Sequence, residues 1–321
     1  MGLVGPTPPP EDERIHPVGD GPLWGESWYF DFHDAAGTVG GYVRIGQYPN
    51  LGVTWYWACL VGADRPLLTV IDHTIPIGRD RSSLELRSEG LWADHNLEEP
   101  WQRWSLGLEA FALAVDDPAE AYAETTGGAR GVRTPFAFDL EWETDGAVFA
   151  YPEGLDRYEI PCRVHGTLDV GTERLEIDGF GQRDHSWGGR DWWSWGWLWS
   201  AFRLDDGQRY HAVSILPSAM WSMGYHQPGG DGAPVEQLAR IEVVPPDAHL
   251  VASPELMPGP FAVLLDAARI DVEPVAWAPV LLEAPDGRLA HFPRALCHMR
   301  TDAGSTGVGW IELNRPVAPL L

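Results

Sequence analysis

From Glu26 onward the chain alternates apolar and polar side chains with the period of two that marks β-strands. ESWYFDFH (26–33) begins the pattern, and a short turn at Ala35 to Gly37 leads into TVGGYVRIG. LGVTWYWACLVG and PLLTVIDHTIPI follow, both aromatic or β-branched, as strands favour. Shorter runs lie at Leu84 to Leu86, Leu91 to Ala93 and Trp104 to Leu113. The polar segment DDPAEAYAETTGGARGV holds one helical turn and a loop, and TPFAFDLEWET is a further strand. AYPEGLDRYEIP (150–161) reads as a connector. Beyond it come CRVHGTLDVG, RLEIDGFGQRDHSWG, DWWSWGWLWSAFRL and QRYHAVSIL. The last two are joined by Asp205, Asp206 and Gly207, an acidic-Gly hairpin signal. Later strands are expected at Gln237 to Val244, Ala262 to Leu265, Arg269 to Leu282, Leu289 to Met299 and Gly307 to Leu313.

Short strands punctuated by 36 Gly and 28 Pro predict an all-β chain of barrels or sandwiches rather than α/β layers. The expected organisation is a flexible Pro-rich arm over 1–20, a β domain over 21–160 and a second over 161–321. Trp at alternate positions in both halves, Trp55 and Trp57 against Trp193 to Trp199, hints at an internal duplication.

Charge narrows the function. The net charge of −25 repels phosphate backbones and anionic membrane surfaces, so no nucleic-acid partner is expected. All 22 basic residues are Arg, which removes Schiff-base chemistry and Lys-dependent phosphate loops. Cys59, Cys162 and Cys297 are odd in number and lie far apart, which fits a reducing, cytoplasmic setting rather than a disulfide scaffold. Asn50, Asn96 and Asn314 lack the glycosylation sequon, the first residues lack the apolar core of a signal peptide, and no stretch is apolar enough to span a bilayer.

The densest chemistry lies in FGQRDHSWGGRDWWSWGWLW (180–199), which holds six of the 17 Trp. Strand alternation puts Trp193, Trp195, Trp197 and Trp199 on one face as an aromatic wall, with Ser194, Gly196, Leu198 and Ser200 opposite. Such a wall is either core or the lining of a ligand cavity; four indoles are hard to pack to crystal-like density without leaving space. In the preceding strand Arg183, His185 and Trp187 share a face with Leu175 and Ile177, and Asp184 points the other way with Asp178, unless the flanking glycines insert a bulge. Asp184 and His185 suit proton transfer, and burial by Trp raises an Asp pKa toward neutrality. The alternative is a buried Arg–Asp–His network that fixes the fold.

GFGQRDHSWG followed by RDWW resembles the signature of the hydroxyneurosporene synthase family, also called the carotenoid 1,2-hydratase or AttH-like family. The closing GVGWIELNRP is similar to that family's Gly-rich last strand with its Glu, here Glu312. The resemblance implies two consecutive lipocalin-like antiparallel barrel halves over 21–321. It also implies a barrel cavity for an apolar isoprenoid- or polyketide-like substrate, and cofactor-free acid–base or shape catalysis by a hydratase, lyase, isomerase or cyclase. The family's Asp-His-x-Trp-Gly element maps onto Asp184, His185, Trp187 and Gly188, with Ser186 where Asn is common.

Asp184 is therefore the candidate general acid, His185 its orienting partner or water activator, and Asp191 a further candidate acid. Arg183, Trp187, the four wall indoles, His211, Trp221 and Tyr225 are candidate substrate contacts. Met220 and Met223 extend a soft cluster around Trp221 and Tyr225. Asp72 and His73 point to opposite faces of their strand, and Asp94 and His95 are expected near a turn. No metal is expected, because neither His-x-His nor His-x-x-x-His occurs. Nucleophile-elbow, phosphate-loop and dinucleotide fingerprints are also missing, so no cofactor is expected. The alternative functions are a non-catalytic carrier of a hydrophobic metabolite and an interaction protein with a filled core.

Overall fold

A computed structural model describes residues 8–123, 128–216, 221–230, 233–244 and 257–317. The chain is 64% strand and 5% helical, which bears out the all-β expectation. The first sheet contains β1 (Trp24–Asp34), β2 (Val39–Tyr48), β3 (Val53–Gly62), β4 (Leu67–Pro76), β5 (Leu86–Ser88), β6 (Leu91–Glu99), β7 (Arg103–Val115), β8 (Val132–Thr144), β9 (Phe149–Ala150), β10 (Arg157–Val170) and β11 (Glu173–Gly189). The second contains β12 (Gly196–Leu204), β13 (Arg209–Leu216), β14 (Ser222–Gln227), β15 (Glu236–Gln237), β16 (Ile241–Val244), β17 (Phe261–Leu265), β18 (Ala268–Trp277), β19 (Val280–Glu283), β20 (Leu289–Phe292), β21 (Arg294–Thr301) and β22 (Thr306–Pro316).

The first sheet runs 4-3-2-1-11-10-8-7-6-5 and closes into a barrel through β4–β7 pairing. The second runs 15-14-13-12-22-21-18-17-16, the same order with the long last strand again beside the first. Sheet membership therefore moves the boundary from 160 to between Gly189 and Gly196. The presumed connector already contains the start of β10, whose RYEIP alternation is short enough to pass for a loop. The duplication is real in topology, although β3 and β12, which carry the paired Trp residues, are not equivalent strands.

Equivalence is plainer in β11 and β22. Each carries Gly-x-Gly where the neighbouring strand comes closest. A Cβ on Gly181 would lie 1.9 Å from the Asp31 carbonyl oxygen, and one on Gly309 would lie 2.2 Å from that of Ala201. Three residues beyond each of these glycines stands a carboxylate, Asp184 in one half and Glu312 in the other.

Three cores result. Trp28, Phe30 and Phe32 point inward with Trp104, Trp142 and Leu140 and fill the first barrel. Leu198, Phe202 and Ile311 fill the inside of the second sheet. Between the sheets, Tyr29, Tyr42, Trp55 and Trp57 meet Trp199, Tyr225 and Trp310. Asp94 and His95 lie within β6 rather than near a turn, and His95 is buried in the first barrel against Phe30 and Tyr56.

The arm is not free from residue 8 onward. A single 3-10 turn, Pro10–Glu13, plugs the first barrel. Glu13 is buried and accepts hydrogen bonds from Arg183 (2.6 Å), Tyr158, Trp104 Nε1 and the Trp101 amide. The His185 ring donates from Nδ1 to the Asp12 carbonyl at 2.8 Å. Glu26 receives the His16 amide and ring and the Arg81 guanidinium.

Removing one member of a buried ion pair strands the other, which costs about 3–5 kcal/mol. Glu13→Ala should lose about that much in urea unfolding, and a loss below about 1 kcal/mol would show that the arm does not anchor the barrel. Burial pushes the Glu26 carboxyl up, but hydrogen bonds from His16 and His185 outweigh it and hold the pKa at about 2. The folded state thus binds the proton more weakly than the unfolded chain. Its stabilisation, about 3 kcal/mol at 1.36 kcal/mol per pKa unit, is complete above pH 4.5 and is lost as pH falls toward 2. Stability measured across that window should slope less steeply in Glu26→Gln than in the wild-type chain; equal slopes would refute the assignment.

Candidate active site

A cleft of about 540 Å³ opens between the two sheets rather than inside either barrel. Tyr151, Arg157 and the Trp187–Arg190 segment form one side, and Trp197, Trp199, Val213, Ile215, Trp221 and Glu312 the other. The barrel cavity implied by the family resemblance is thus replaced by a gap between barrels, because Trp and Phe side chains fill the first lumen.

The aromatic wall exists, with one exchange. Asp191 accepts hydrogen bonds from the Trp193 amide (3.1 Å) and the Ser194 hydroxyl (2.6 Å), which holds a turn where a strand was expected. Alternation starts only at Gly196. Trp193 therefore turns into the inter-sheet core, donating to the Leu282 carbonyl, and Trp192 takes its place on the cleft. Trp195 sits at the rim, 53% exposed. Trp197 donates to Glu312 at 2.8 Å, and Arg294 holds the other oxygen of Glu312 at 2.9 Å.

The β11 register is continuous, so the glycines insert no bulge and strict alternation holds. Arg183 and His185 point into the first barrel, where they bind the arm through Glu13 and Asp12. Trp187 stacks on His16 at 3.6 Å and reaches the cleft wall with its other parts. Asp184 points to the inter-barrel side. Arg157 joins it to Glu159, donating from Nη2 to Asp184 at 2.6 Å and from Nε to Glu159 at 2.7 Å. Asp184 is not among the residues lining the cleft, but Arg157 is. Its side chain keeps 6% of its surface accessible.

Burial pushes the Asp184 carboxyl up to about 7 against the pull of Arg157, and the neighbouring carboxylates of Glu159 and Glu312 push the same way as burial. Burial likewise raises Glu159, again opposed by Arg157 and by hydrogen bonds from Gln182 and Trp199. Asp191 differs: burial pushes it up slightly, but Ser194, the Trp193 amide and Arg288 outweigh that and keep it low. It caps a turn and pairs with Arg288 at 3.0 Å.

His211 faces Trp199, as the register left open, and its Nε2 meets the Tyr151 hydroxyl at 2.8 Å. Burial, then Arg157, push His211 well below its usual range, so it stays neutral. Tyr225 is buried behind it, donating to Gln182 at 3.3 Å. Trp221 lines the cleft, whereas Met220 lies outside the described residues.

The sequence reading missed Tyr151, Arg157 and Glu159, all inside the segment taken for a connector, and Arg190 and Trp192, which lie in the turn. It also missed a three-residue cluster that could hold a metal, His16, Glu26 and His185, because His185 lies 159 residues beyond Glu26 in sequence. Arg81 and the His16 amide already engage the Glu26 carboxylate there.

Solved structures share the whole architecture. A protein from Nitrosomonas europaea provisionally assigned as an AttH aligns over 99% of this chain and 100% of its own, with TM-score 0.64 at 15% identity. Kievitone hydratase from Nectria haematococca aligns over 92% and 93%, with TM-score 0.54 at 13% identity. CghA, solved with Sch210972, aligns over 92% and 89%, with TM-score 0.53 at 11% identity. Identities this low establish the fold, the double lipocalin-like barrel expected from the Asp-His-x-Trp-Gly element. No curated protein sequence matches the chain. Residues 9–317 match the family described as "Domain of unknown function (DUF7064)", and the chain belongs to that family.

Proposed function

We propose that the protein is a hydratase-, isomerase- or cyclase-type enzyme that acts on an apolar small molecule in the inter-barrel cleft, with Asp184 as proton donor. One observation carries the reading: a carboxyl buried between the sheets, whose pKa burial raises, is bonded at 2.6 Å to Arg157, a lining residue of a Trp-rich cleft. The likeness to kievitone hydratase and CghA supports it at the level of fold.

In a hydration, Asp184 would protonate one alkene carbon through a single cleft water, which is within the reach of a general acid. The π electrons form the new C–H bond and leave a cation on the adjacent carbon, facing the indoles of Trp197 and Trp199. Water adds its oxygen to that cation and gives its surplus proton back to the Asp184 carboxylate. Loss of a neighbouring carbon-bound proton instead gives isomerisation.

Tyr151 competes for the donor role because it lines the cleft. Burial, opposed by Arg157, pushes it well above 10, whereas Asp184 lies at about 7. The phenol is therefore the much weaker acid of the two. Tyr151 and neutral His211 serve better to orient water or a substrate oxygen.

The test begins with the whole protein incubated with apolar cell extract. Native mass spectrometry should find a bound compound, and product analysis should find one gaining the mass of one water or changing retention at constant mass. Binding without conversion would assign the cleft to a carrier instead. Asp184→Asn should lower turnover by roughly 10²–10⁴-fold yet stay folded, because Arg157 keeps Glu159 as a partner. Only the protonated acid donates, so wild-type turnover should fall as pH rises through about 7. Full activity in a folded Asp184→Asn chain would exclude Asp184. In Tyr151→Phe the same pH limb should persist; its disappearance would move the donor to Tyr151.

A further inference from the structure

Two arginines at the cleft have no carboxylate partner among the described residues. Arg190 lines the cleft; its amide donates to the Leu23 carbonyl, but its side chain makes no ion pair. Arg44 is buried, with its guanidinium 4.6 Å from the Trp57 ring and 5.1 Å from that of Trp192, a cleft residue. Its Nη2 donates to the Tyr48 hydroxyl at 3.2 Å, and its Nη1 has no hydrogen-bond partner. Gly46 leaves the space it occupies, since a Cβ there would lie 2.5 Å from Nη1.

Pairing around the cleft is uneven. Arg157 and Arg294 are engaged by Asp184, Glu159 and Glu312, whereas no ion pair among the described residues reaches Arg44 or Arg190. Both stay unpaired in a chain whose net charge is −25, where acidic partners are plentiful. Burial, then the like charge of Arg157 and more weakly that of Arg44, pushes Arg190 down to about 10 against the pull of Asp184. A buried guanidinium left unpaired is costly, and the cost is removed by an anion that enters with a ligand. The planar donor fork of Arg matches a carboxylate or a delocalised oxyanion, and the indoles match an extended apolar body.

We propose that the cleft takes an amphipathic anion, with its carboxylate or equivalent delocalised oxyanion on Arg190 and Arg44 and its apolar body along Trp192, Trp197 and Trp199. This inference rests on the cleft being the substrate site. It makes an uncharged hydrocarbon a poor ligand and an aryl or polyenyl acid a good one.

Calorimetric titration of the full chain in chloride-poor buffer tests it with two probes of one shape, 2-naphthoate and 2-naphthamide. The naphthoate should bind at least about tenfold more tightly, the gain of one charge-assisted pair. Arg190→Gln should remove that preference while leaving naphthamide affinity within about twofold, and Arg190→Lys should retain most of it. Equal affinities in the wild-type chain would overturn the anion site and leave the apolar cleft standing. A preference that survives in both Arg190→Gln and Arg44→Gln would also overturn it. Binding of neither probe would overturn this inference and the substrate-cleft reading together.

Discussion

Strand β11 is buried on both faces along its second half, and each face meets a different core. Odd side chains enter the first barrel, where Arg183 must find an anion. The chain supplies Glu13 from the arm, far away in sequence, and the arm becomes part of the fold. Even side chains enter the gap between sheets, where Asp184 must find a cation, and Arg157 on the adjacent strand supplies it. Two neighbouring residues of opposite charge are thus paired on opposite sides of one strand. Loss of Glu13 would leave Arg183 as an unpaired charge in a low-dielectric interior, whereas Arg157 keeps Glu159 when Asp184 is lost. This constraint ties the arm, the first barrel and the inter-barrel surface together.

The internal symmetry deepens the constraint. Gly181 and Gly309 each allow a neighbouring carbonyl to approach, so each terminal strand can lie close against the first strand of its own half. Three residues later, Asp184 and Glu312 project to the same inter-barrel space. Their arginines come from adjacent strands, β10 for Arg157 and β21 for Arg294, and Arg294 is also clamped between the rings of Tyr29 and Tyr42 at 4.3 Å. A duplicated half brings its carboxylate with it. Two halves packed face to face then collect two carboxylates around one cleft, and the like charge of Glu312 helps hold Asp184 protonated.

Strand alternation made most of the fold legible, because a period of two with aromatic and β-branched residues leaves few alternatives. It failed where side-chain chemistry overrode the period. Asp191 bends the chain by capping Trp193 and Ser194, so the Trp run is half turn and half strand. The segment 150–161 looked like a linker because Pro152, Glu153 and Gly154 break the pattern before the β10 alternation begins. Of the candidate site, the element around Asp184 and the Trp wall could be read directly. Arg157, Tyr151 and the partners of Arg183 could not, since each depends on which strand lies beside which, and nothing in local sequence encodes that pairing.

The cleft lies between barrels for a reason of volume. A closed barrel of this size has a lumen about as wide as its own side chains, and Trp28, Trp104 and Trp142 occupy it. The second sheet likewise fills its own concave face. The contact between the two outer surfaces is left imperfect. There, large indoles meet across a seam at the end of β11, where Gly188 adopts a φ of +117° that a side chain would resist. Rigid rings cannot deform to close such a seam, so space remains, lined by the same rings and by arginines that no strand pairing neutralises. The features that make this seam hard to pack are those that make it suited to an apolar ligand with a polar end.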